Sequence, residues 1–194
     1  MRLLFPILAL VLAPLASAQD SLALGSGLPL ASESFATAEG GSTSLGAAMG
    51  ESGLAVVFWS AACPWTEKYE SRVSEIAETA SGNGVGLVLV ASNDPERTTG
   101  DSPEALAATA RRIGASILLD PTSQIADAFG ARQTPQAFFF GPSLLYSGAI
   151  DDSPAEAARV TIPYLAQAME QSLAGQSVEI ERTTAFGCTI KRPR

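Results

Sequence analysis

The hydrophobic pattern of the chain is dominated by continuous apolar runs. GLAVVFW (53–59) and VGLVLVA (85–91) contain valine, leucine or aromatic residues and no charged residue. Such runs are typical of strands that are buried on both faces of a sheet. Three shorter runs, SILLD (116–120), QAFFF (136–140) and LLYSGAI (144–150), also predict strands, and the last two flank a Gly-Pro-Ser turn that is typical of a β-hairpin.

Apolar positions at helical spacing lie between these runs. In residues 64–80, apolar side chains recur every three or four positions, and glutamates fill much of the other face. Ser102 before Pro103 is a typical helix start, because serine caps the first turn and proline is tolerated at its first position. We therefore predict helices at 64–80, from 103 onwards, at 122–130 and from about Ile162 to Ala174, the last with Thr161 as its N-cap and Pro163 in its first turn.

The order of these elements predicts the fold class. Strand, helix, strand, helix, strand, helix, hairpin and helix follow one another without an internal repeat or a dividing linker. This order is typical of an α/β protein with one layered domain and parallel strands in the middle of its sheet. Residues 178–194 carry no clear element in this pattern.

The first 18 residues have a pattern of their own. Arg2 precedes an apolar run that ends in small residues, with Ala16 and Ala18 spaced as at a cleavage site. These features predict a signal peptide at 1–18, and hence a secreted or periplasmic protein. The alternative is a membrane anchor, but the run is short and no later segment is apolar and long enough to span a bilayer.

Composition and charge exclude several classes of function. The net charge is −8, and an acidic surface argues against nucleic acids and anionic membranes as partners. The chain has no histidine, which excludes Ser-His-Asp and Cys-His catalysis and histidine-containing metal sites. Two cysteines cannot form a zinc site of four thiolates, so we predict neither a metal site nor a cofactor. Five aspartates in predicted loops lack the spacing of calcium ligands, so we expect them to cap helices or face solvent: Asp94, Asp101, Asp120, Asp151 and Asp152.

Cys63 is the candidate reactive residue. It follows the predicted strand at 53–59 and begins the predicted helix, with Pro64 near the first helical position. A thiol at a helix N-terminus faces backbone N–H groups and the positive end of the helix dipole, which favour the thiolate and lower the thiol pKa. The alternative is an inert core residue, because free cysteines are often buried.

Two segments resemble thioredoxin. VVFWSAACPWT (56–66) is similar to the thioredoxin active-site segment, with Cys63 at the position of its first cysteine. RQTPQAFFF (132–140) is similar to the loop whose Thr-Pro bond is cis, which implies that Thr134 and Pro135 face Cys63 through a cis bond. The alternative is an ordinary trans proline that enters an edge strand.

A narrower resemblance covers residues 50–192. The ordered motifs CPW, SNDPE, DSPE, LLD, TPQAFFF, GAIDDS and GCTIKR resemble a thioredoxin-like group described as peroxiredoxin-like or redoxin-domain (AhpC/TSA-like), whose members carry only the first active-site cysteine. The resemblance implies a thioredoxin-like fold at 19–180, with a central mixed sheet flanked by helices, and a tail at 181–194. It also implies thiol-based redox or antioxidant activity through Cys63, with protein or small-molecule thiols and disulfides as partners. The implied active-site loop consists of Pro64, Trp65, Thr66, Thr134 and Pro135.

Several reactions remain open at this site. Thr66 stands where a second active-site cysteine would lie, which excludes an intramolecular Cys-x-x-Cys cycle but leaves a monothiol mechanism. CPWTE superficially resembles the peroxiredoxin segment CPTE, but peroxiredoxins place their cysteine at the position of Thr66. Val56 also stands where that family has proline, and Arg132 is the candidate to replace the family's arginine.

Cys188 is the other candidate redox residue. If the tail folds back over the active-site end, Cys188 can meet Cys63, either as a resolving thiol or as one half of a structural disulfide. Otherwise Cys188 stays free. The alternative function is therefore a non-catalytic thioredoxin-fold binding module that is stabilised by a Cys63–Cys188 disulfide.

Overall fold

A computed structural model describes residues 21–194, so the predicted signal peptide lies outside the described residues. The strands and helices in chain order are β1 (Ser34–Ala36), β2 (Ser42–Ser44), α1 (Leu45–Ala48), β3 (Gly53–Phe58), α2 (Pro64–Gly82), β4 (Val85–Ala91), α3 (Pro103–Ile113), β5 (Ser116–Leu119), α4 (Gln124–Phe129), β6 (Gln133–Thr134), β7 (Gln136–Phe140), β8 (Leu144–Gly148), α5 (Tyr164–Leu173) and β9 (Cys188–Thr189).

A five-stranded mixed sheet in the order β5-β4-β3-β7-β8 forms the centre. β3, β4 and β5 pair in parallel, whereas β7 pairs antiparallel with β3 and β8 antiparallel with β7. The α/β class, the parallel strands and the β7–β8 hairpin that the apolar runs predict are therefore confirmed.

Both faces of the sheet are buried, and the side chains of each strand alternate between them. In β3, Ala55 and Val57 face a core that α2, α3 and α5 cover. Val56 and Phe58 face a second core, which α1, α4 and part of the N-terminal segment cover. This two-sided burial explains why β3 and β4 are continuous apolar runs rather than alternating ones.

The predicted start of the helix at 103 is confirmed, whereas the predicted start of the last helix is wrong. The Ser102 hydroxyl accepts the Ala105 N–H at 3.2 Å, and the helix that follows begins at Pro103. The last helix begins at Tyr164, after Pro163 rather than around it. Thr161 cannot cap it, because its N–H and hydroxyl both bind the carboxylate of Asp152.

The C-terminal tail contains structure that the hydrophobic pattern does not indicate. It first runs beside β8, where the Ser147 N–H donates to the Glu181 carbonyl at 3.0 Å and the Thr183 N–H donates to the Ser147 carbonyl at 3.1 Å. It then forms β9, which pairs antiparallel with β6. The tail thereby crosses the end of the sheet at which β3 leads into α2. Among residues 21–194, no helix is long and apolar enough to cross a membrane.

Candidate active site at the Cys63–Cys188 disulfide

Cys63 lies at the junction of β3 and α2. It is the N-cap residue of α2, with an extended backbone (φ −89°, ψ 120°), and Pro64 follows in the first turn. Its N–H donates to the Ser60 carbonyl at 3.2 Å, which closes the short loop after β3. The thiol position predicted from the sequence is thus confirmed, but the residue is only 3% exposed.

Cys63 and Cys188 form a disulfide across a sequence separation of 125 residues, with their Cα atoms 6.1 Å apart. The alternative in which Cys188 stays free is therefore wrong. Neither sulfur carries a proton in this state. What the structure describes is the oxidised form of the pair.

The active-site loop before β7 provides a pairing edge for the tail. The Thr134–Pro135 peptide bond is cis, as the resemblance to thioredoxin implies. Thr134 lies opposite Cys188 in the β6–β9 pair, and its carbonyl oxygen is 3.2 Å from Cys63 Sγ. The Ile190 N–H also donates to the Arg132 carbonyl at 2.9 Å. Backbone pairing therefore sets the position of Cys188 beside Cys63.

Phe186 and Gly187, which precede Cys188, both pack closely against the active-site residues. A Cβ atom on Gly187 would meet the Thr134 carbonyl oxygen and lie 2.7 Å from its carbon, so only glycine allows this approach. The Phe186 ring packs edge-on against the Trp65 ring, with centroids 4.6 Å apart. Trp65 therefore contacts the tail in the oxidised form.

The residues after Cys188 fix the tail to three parts of the fold. Ile190 is 3% exposed and joins the core beneath β3 and α4. The Lys191 N–H donates to Asn93 Oδ1, and its carbonyl accepts the Asp94 N–H, both at 2.8 Å. The Arg192 guanidinium lies 2.7 Å from Asp127 Oδ1. We call residues 183–192 the C-terminal strap.

Thr66 replaces a second active-site cysteine, and its side chain has a structural contact instead. It is 1% exposed, and its hydroxyl lies 2.5 Å from the Ser60 carbonyl and 2.7 Å from the Cys63 carbonyl. A single hydroxyl proton serves these two acceptors. Thr66 therefore holds the loop before Cys63 against the first turn of α2.

Asp101 organises the same loop, a role that the sequence analysis missed. Its Oδ1 accepts the Ser60 hydroxyl at 2.9 Å and the Ala62 N–H at 3.1 Å. Its Oδ2 accepts the side-chain amide of Asn93 at 2.7 Å, and that amide's oxygen binds the strap at Lys191. One buried carboxylate thus connects the Cys63 loop with the strap. The sequence around Ser60 gives no signal for this contact, because its partner Asp101 lies 41 residues further along the chain.

The expectation that the loop aspartates cap helices or face solvent is wrong for Asp101 and Asp151, which are buried, whereas Asp120 is buried but does bind the first turn of α4. Asp101, Asp120 and Asp151 are all at most 8% exposed. Asp120 accepts the Ser92 hydroxyl at 2.6 Å, and a backbone N–H of α4 at 3.0 Å. Burial raises the pKa of the Asp120 carboxyl, although these hydrogen bonds oppose the shift. Asp151 forms an ion pair with Arg72.

Together, the fold and the site define a thioredoxin-like protein with a single cysteine in its active-site loop and a second cysteine on its tail. The model of the AhpC/TSA family matches residues 27–145, and the chain belongs to this family. The family resemblance predicted from the ordered motifs is therefore confirmed.

Solved structures support the same fold. A hypothetical protein from Sinorhizobium meliloti 1021 is 27% identical with a TM-score of 0.80, covering 90% of this chain and 97% of that chain. An uncharacterized conserved protein from Geobacillus kaustophilus is 26% identical with a TM-score of 0.80, covering 88% and 93%. A putative thiol:disulfide interchange protein DsbE from Chlorobium tepidum is 18% identical with a TM-score of 0.56, covering 80% and 98%, and is similar in fold. No curated protein matches the sequence.

Proposed function

We propose that the protein is an exported thiol–disulfide oxidoreductase whose redox centre is the Cys63–Cys188 pair. The observation that supports this most directly is the disulfide between a thiol position at a helix N-terminus and a cysteine of the strap. The loop residues that frame the pair are Pro64, Trp65, Thr66, Thr134 and Pro135.

In this proposal, Cys63 supplies the more stable thiolate. Its place at the N-cap of α2 favours negative charge on the sulfur through the helix dipole. A stable thiolate is also a good leaving group, which makes the disulfide easier to reduce. Thr66 has no thiol, so Cys188 completes the couple.

The overall reaction moves two electrons between the protein disulfide and two external thiols. One external thiolate attacks a sulfur of the pair, forms a mixed disulfide and releases the other cysteine as a thiolate. A second external thiolate then attacks the external sulfur, forms the external disulfide and releases the remaining cysteine. The protons of the two external thiols end on Cys63 and Cys188.

A redox titration tests this function. The folded protein is equilibrated with defined ratios of reduced and oxidised glutathione, alkylated and analysed by mass spectrometry. We expect a reversible transition between disulfide and dithiol, with no intramolecular disulfide in the controls Cys63→Ser and Cys188→Ser. A disulfide that stays intact in the folded protein at every ratio contradicts the proposal.

The second candidate is a non-catalytic binding module with a structural disulfide. The observation that favours it is the 3% exposure of Cys63, because a covered thiol reacts slowly. The same titration separates the two functions. A structural disulfide resists glutathione, whereas a redox-active one exchanges with it.

Peroxide reduction is a further branch of the proposal, and the AhpC/TSA match supports it. The Cys63 thiolate would attack one oxygen of the peroxide and become a sulfenic acid, while the O–O bond breaks and the other oxygen leaves as water or an alcohol. The sulfenic acid would then condense with the Cys188 thiol to the disulfide and water. A role for Arg132 in polarising the peroxide stays a prediction. Peroxide consumption by the reduced protein, with Cys63→Ser as the control, tests this branch.

We also propose export, with a signal peptide at 1–18, a thioredoxin-like domain at 19–180 and the tail at 181–194. The N-terminal sequence pattern supports cleavage after Ala18. The Cys63–Cys188 disulfide fits an oxidising compartment, where disulfides persist. N-terminal sequencing of the protein from secreted and periplasmic fractions tests the cleavage site.

A further inference from the structure

We propose that external thiols and disulfides react at Cys188, and that Cys63 is the internal thiol, covered by the C-terminal strap in both redox states. This assignment rests on the proposed redox function of the pair. It concerns which of the two sulfurs meets the external thiol or disulfide.

Burial distinguishes the two cysteine residues. Cys63 is 3% exposed, whereas Cys188 is partly exposed and its neighbour Thr189 is exposed. A thiolate attacks one sulfur of a disulfide from the side opposite to the other sulfur. The Thr134 carbonyl oxygen lies 3.2 Å from Cys63 Sγ and occupies part of the space around this sulfur. Attack on Cys188 comes from the side of its sulfur that faces away from Cys63.

Contacts that do not involve the disulfide hold the strap on both sides of Cys188. Before it, the Thr183 N–H donates to the Ser147 carbonyl at 3.1 Å, and the Thr183 hydroxyl accepts the Ala149 N–H at 2.9 Å. After it, Ile190 is buried in the core and its N–H binds the Arg132 carbonyl. We therefore expect the strap to stay docked after reduction, so that it still covers Cys63.

Docking also keeps the two thiols close together in the reduced protein. Thr134 pairs with Cys188 through the backbone and contacts Cys63 through its carbonyl, independently of the S–S bond. A neighbouring thiol held in place reacts at a high effective concentration. Cys63 can therefore act on a mixed disulfide at Cys188 without meeting the external partner.

Reduction of the Cys63–Cys188 disulfide takes two exchange steps. An external thiolate attacks Cys188 Sγ, the S–S bond breaks, and Cys63 leaves as the thiolate at the start of α2. A second external thiolate attacks the external sulfur of the mixed disulfide and displaces Cys188, and the two external sulfurs become one disulfide. In the oxidative direction, the Cys188 thiolate attacks one sulfur of an external disulfide, whose S–S bond breaks and releases the other sulfur as a thiolate. Cys63 then attacks Cys188 Sγ and expels the second external thiolate.

Single-cysteine variants test the assignment with oxidised glutathione as the probe. In Cys63→Ser, only Cys188 can form a mixed disulfide; in Cys188→Ser, only Cys63 can. At pH 8.5, with mass spectrometry at timed intervals, we expect Cys63 to react at least about tenfold more slowly than Cys188 because of its burial. Cooperative urea unfolding of both variants verifies that each is folded.

A second comparison tests the role of the strap. Adding Ile190→Ser to Cys188→Ser removes the buried anchor, and we expect the rate at Cys63 to rise at least about tenfold. Thr184→Ala in the same background is the control, since Thr184 is exposed on the strap and should leave the rate unchanged. If Ile190→Ser does not fold, hydrogen exchange in the reduced wild-type protein replaces it, and the Ile190 amide should stay protected.

The outcomes separate this inference from the proposed function. Equal or faster reaction at Cys63 in Cys188→Ser overturns the inference, as does loss of protection at Ile190 on reduction, while a redox-active pair remains. A wild-type disulfide that glutathione cannot reduce, with no mixed disulfide in either variant, overturns the function itself. If Cys63 reacts more slowly than Cys188, and the Ile190→Ser substitution raises the rate at Cys63, the result supports both the proposed function and this inference.

Discussion

At the scale of single residues, Gly187 determines how closely the strap approaches the active-site loop. Any side chain at this position would meet the Thr134 carbonyl, with its Cβ 2.7 Å from the carbonyl carbon. Neither backbone can move far, because Thr134 pairs with Cys188 in the β6–β9 pair. We therefore expect Gly187→Ala to displace the strap rather than to be accommodated.

The expected result of Gly187→Ala is a loss of about 1–3 kcal/mol in the free energy of unfolding of the oxidised protein, the usual cost of overpacking. Urea unfolding measures it. Gly27→Ala is the matched control, since a Cβ there has no heavy atom within 4 Å. A Gly187→Ala variant as stable as the wild type would show that the strap is not held against Thr134.

The buried pair of Asp101 and Asn93 is the second residue-scale determinant. In Asp101→Asn, a side-chain oxygen can still accept the Ser60 hydroxyl, but the new amide faces the Asn93 amide, donor against donor. Leaving one buried donor unpaired costs about 1–3 kcal/mol, which urea unfolding measures.

Exchanging the two side chains provides the control for this prediction. In Asp101→Asn with Asn93→Asp, the amide at 101 donates to the carboxylate at 93, whose other oxygen can still accept the Lys191 N–H. We expect the double variant to regain most of the stability that Asp101→Asn loses. Additive losses in the double variant would contradict the hydrogen-bond assignment.

At the scale of elements, an ion pair joins α2 to the loop after β8. Arg72 Nη1 lies 2.5 Å from Asp151 Oδ2, and the two side chains are only 11% and 3% exposed. The Tyr69 hydroxyl also donates to this carboxylate, at 3.1 Å. The pair therefore fixes the middle of α2, and so the direction of the helix that follows Cys63.

We expect Arg72→Met to lower the free energy of unfolding by about 3–5 kcal/mol, because it leaves the buried Asp151 carboxylate without its cation. Thermal or urea unfolding measures the loss. Arg159→Met is the matched control: its pair with Glu156 is 74% and 60% exposed, and exposed pairs contribute at most about 1 kcal/mol. Equal effects of the two substitutions would contradict this difference.

The elements that the sequence predicts well are those with local signals. β3 and β4 are continuous apolar runs because both of their faces are buried. α3 begins at Pro103 because Ser102 caps it within the same segment. The position of Cys63 at the start of α2 follows from these two kinds of signal, and the cis bond at Pro135 from the family resemblance.

The parts that the sequence does not predict depend on contacts between distant residues. β6 and β9 have two residues each, too few to show a periodicity, and they form because the strap crosses the loop before β7. The sequence indicates a capping or solvated role for Asp101, because its contact with Ser60 becomes visible only in the folded structure. Ile190, the last apolar side chain of a polar tail, is the signal that could have indicated a buried anchor.

At the scale of the whole molecule, one covalent bond connects the centre of the sheet with the end of the chain. The disulfide closes a loop that contains most of the described elements, from α2 to β9. Such a bond restricts the unfolded chain far more than the folded one, in which the other contacts already hold the strap. Reduction should therefore lower global stability without changing the fold.

We expect the oxidised protein to be more stable than the reduced one by about 2–5 kcal/mol, the usual cost of removing a native disulfide, and the chain-entropy account alone gives about 4–5 kcal/mol for a loop of this length. Urea unfolding of both forms measures the difference, and Cys188→Ser should match the reduced wild type. A difference below about 1 kcal/mol would contradict the constraint on the unfolded chain.

This difference also determines how easily the pair can exchange electrons. By the thermodynamic cycle that links folding and reduction, the disulfide is favoured in the folded chain, relative to the unfolded chain, by the same free energy. A difference of about 4 kcal/mol would favour it roughly a thousandfold. The thiolate of Cys63 at the start of α2 acts in the opposite direction, because it stabilises the reduced folded state. For a redox-active pair, we therefore expect the stability difference between the oxidised and the reduced protein to lie toward the lower end of about 2–5 kcal/mol. For a purely structural disulfide, we expect it to lie toward the upper end.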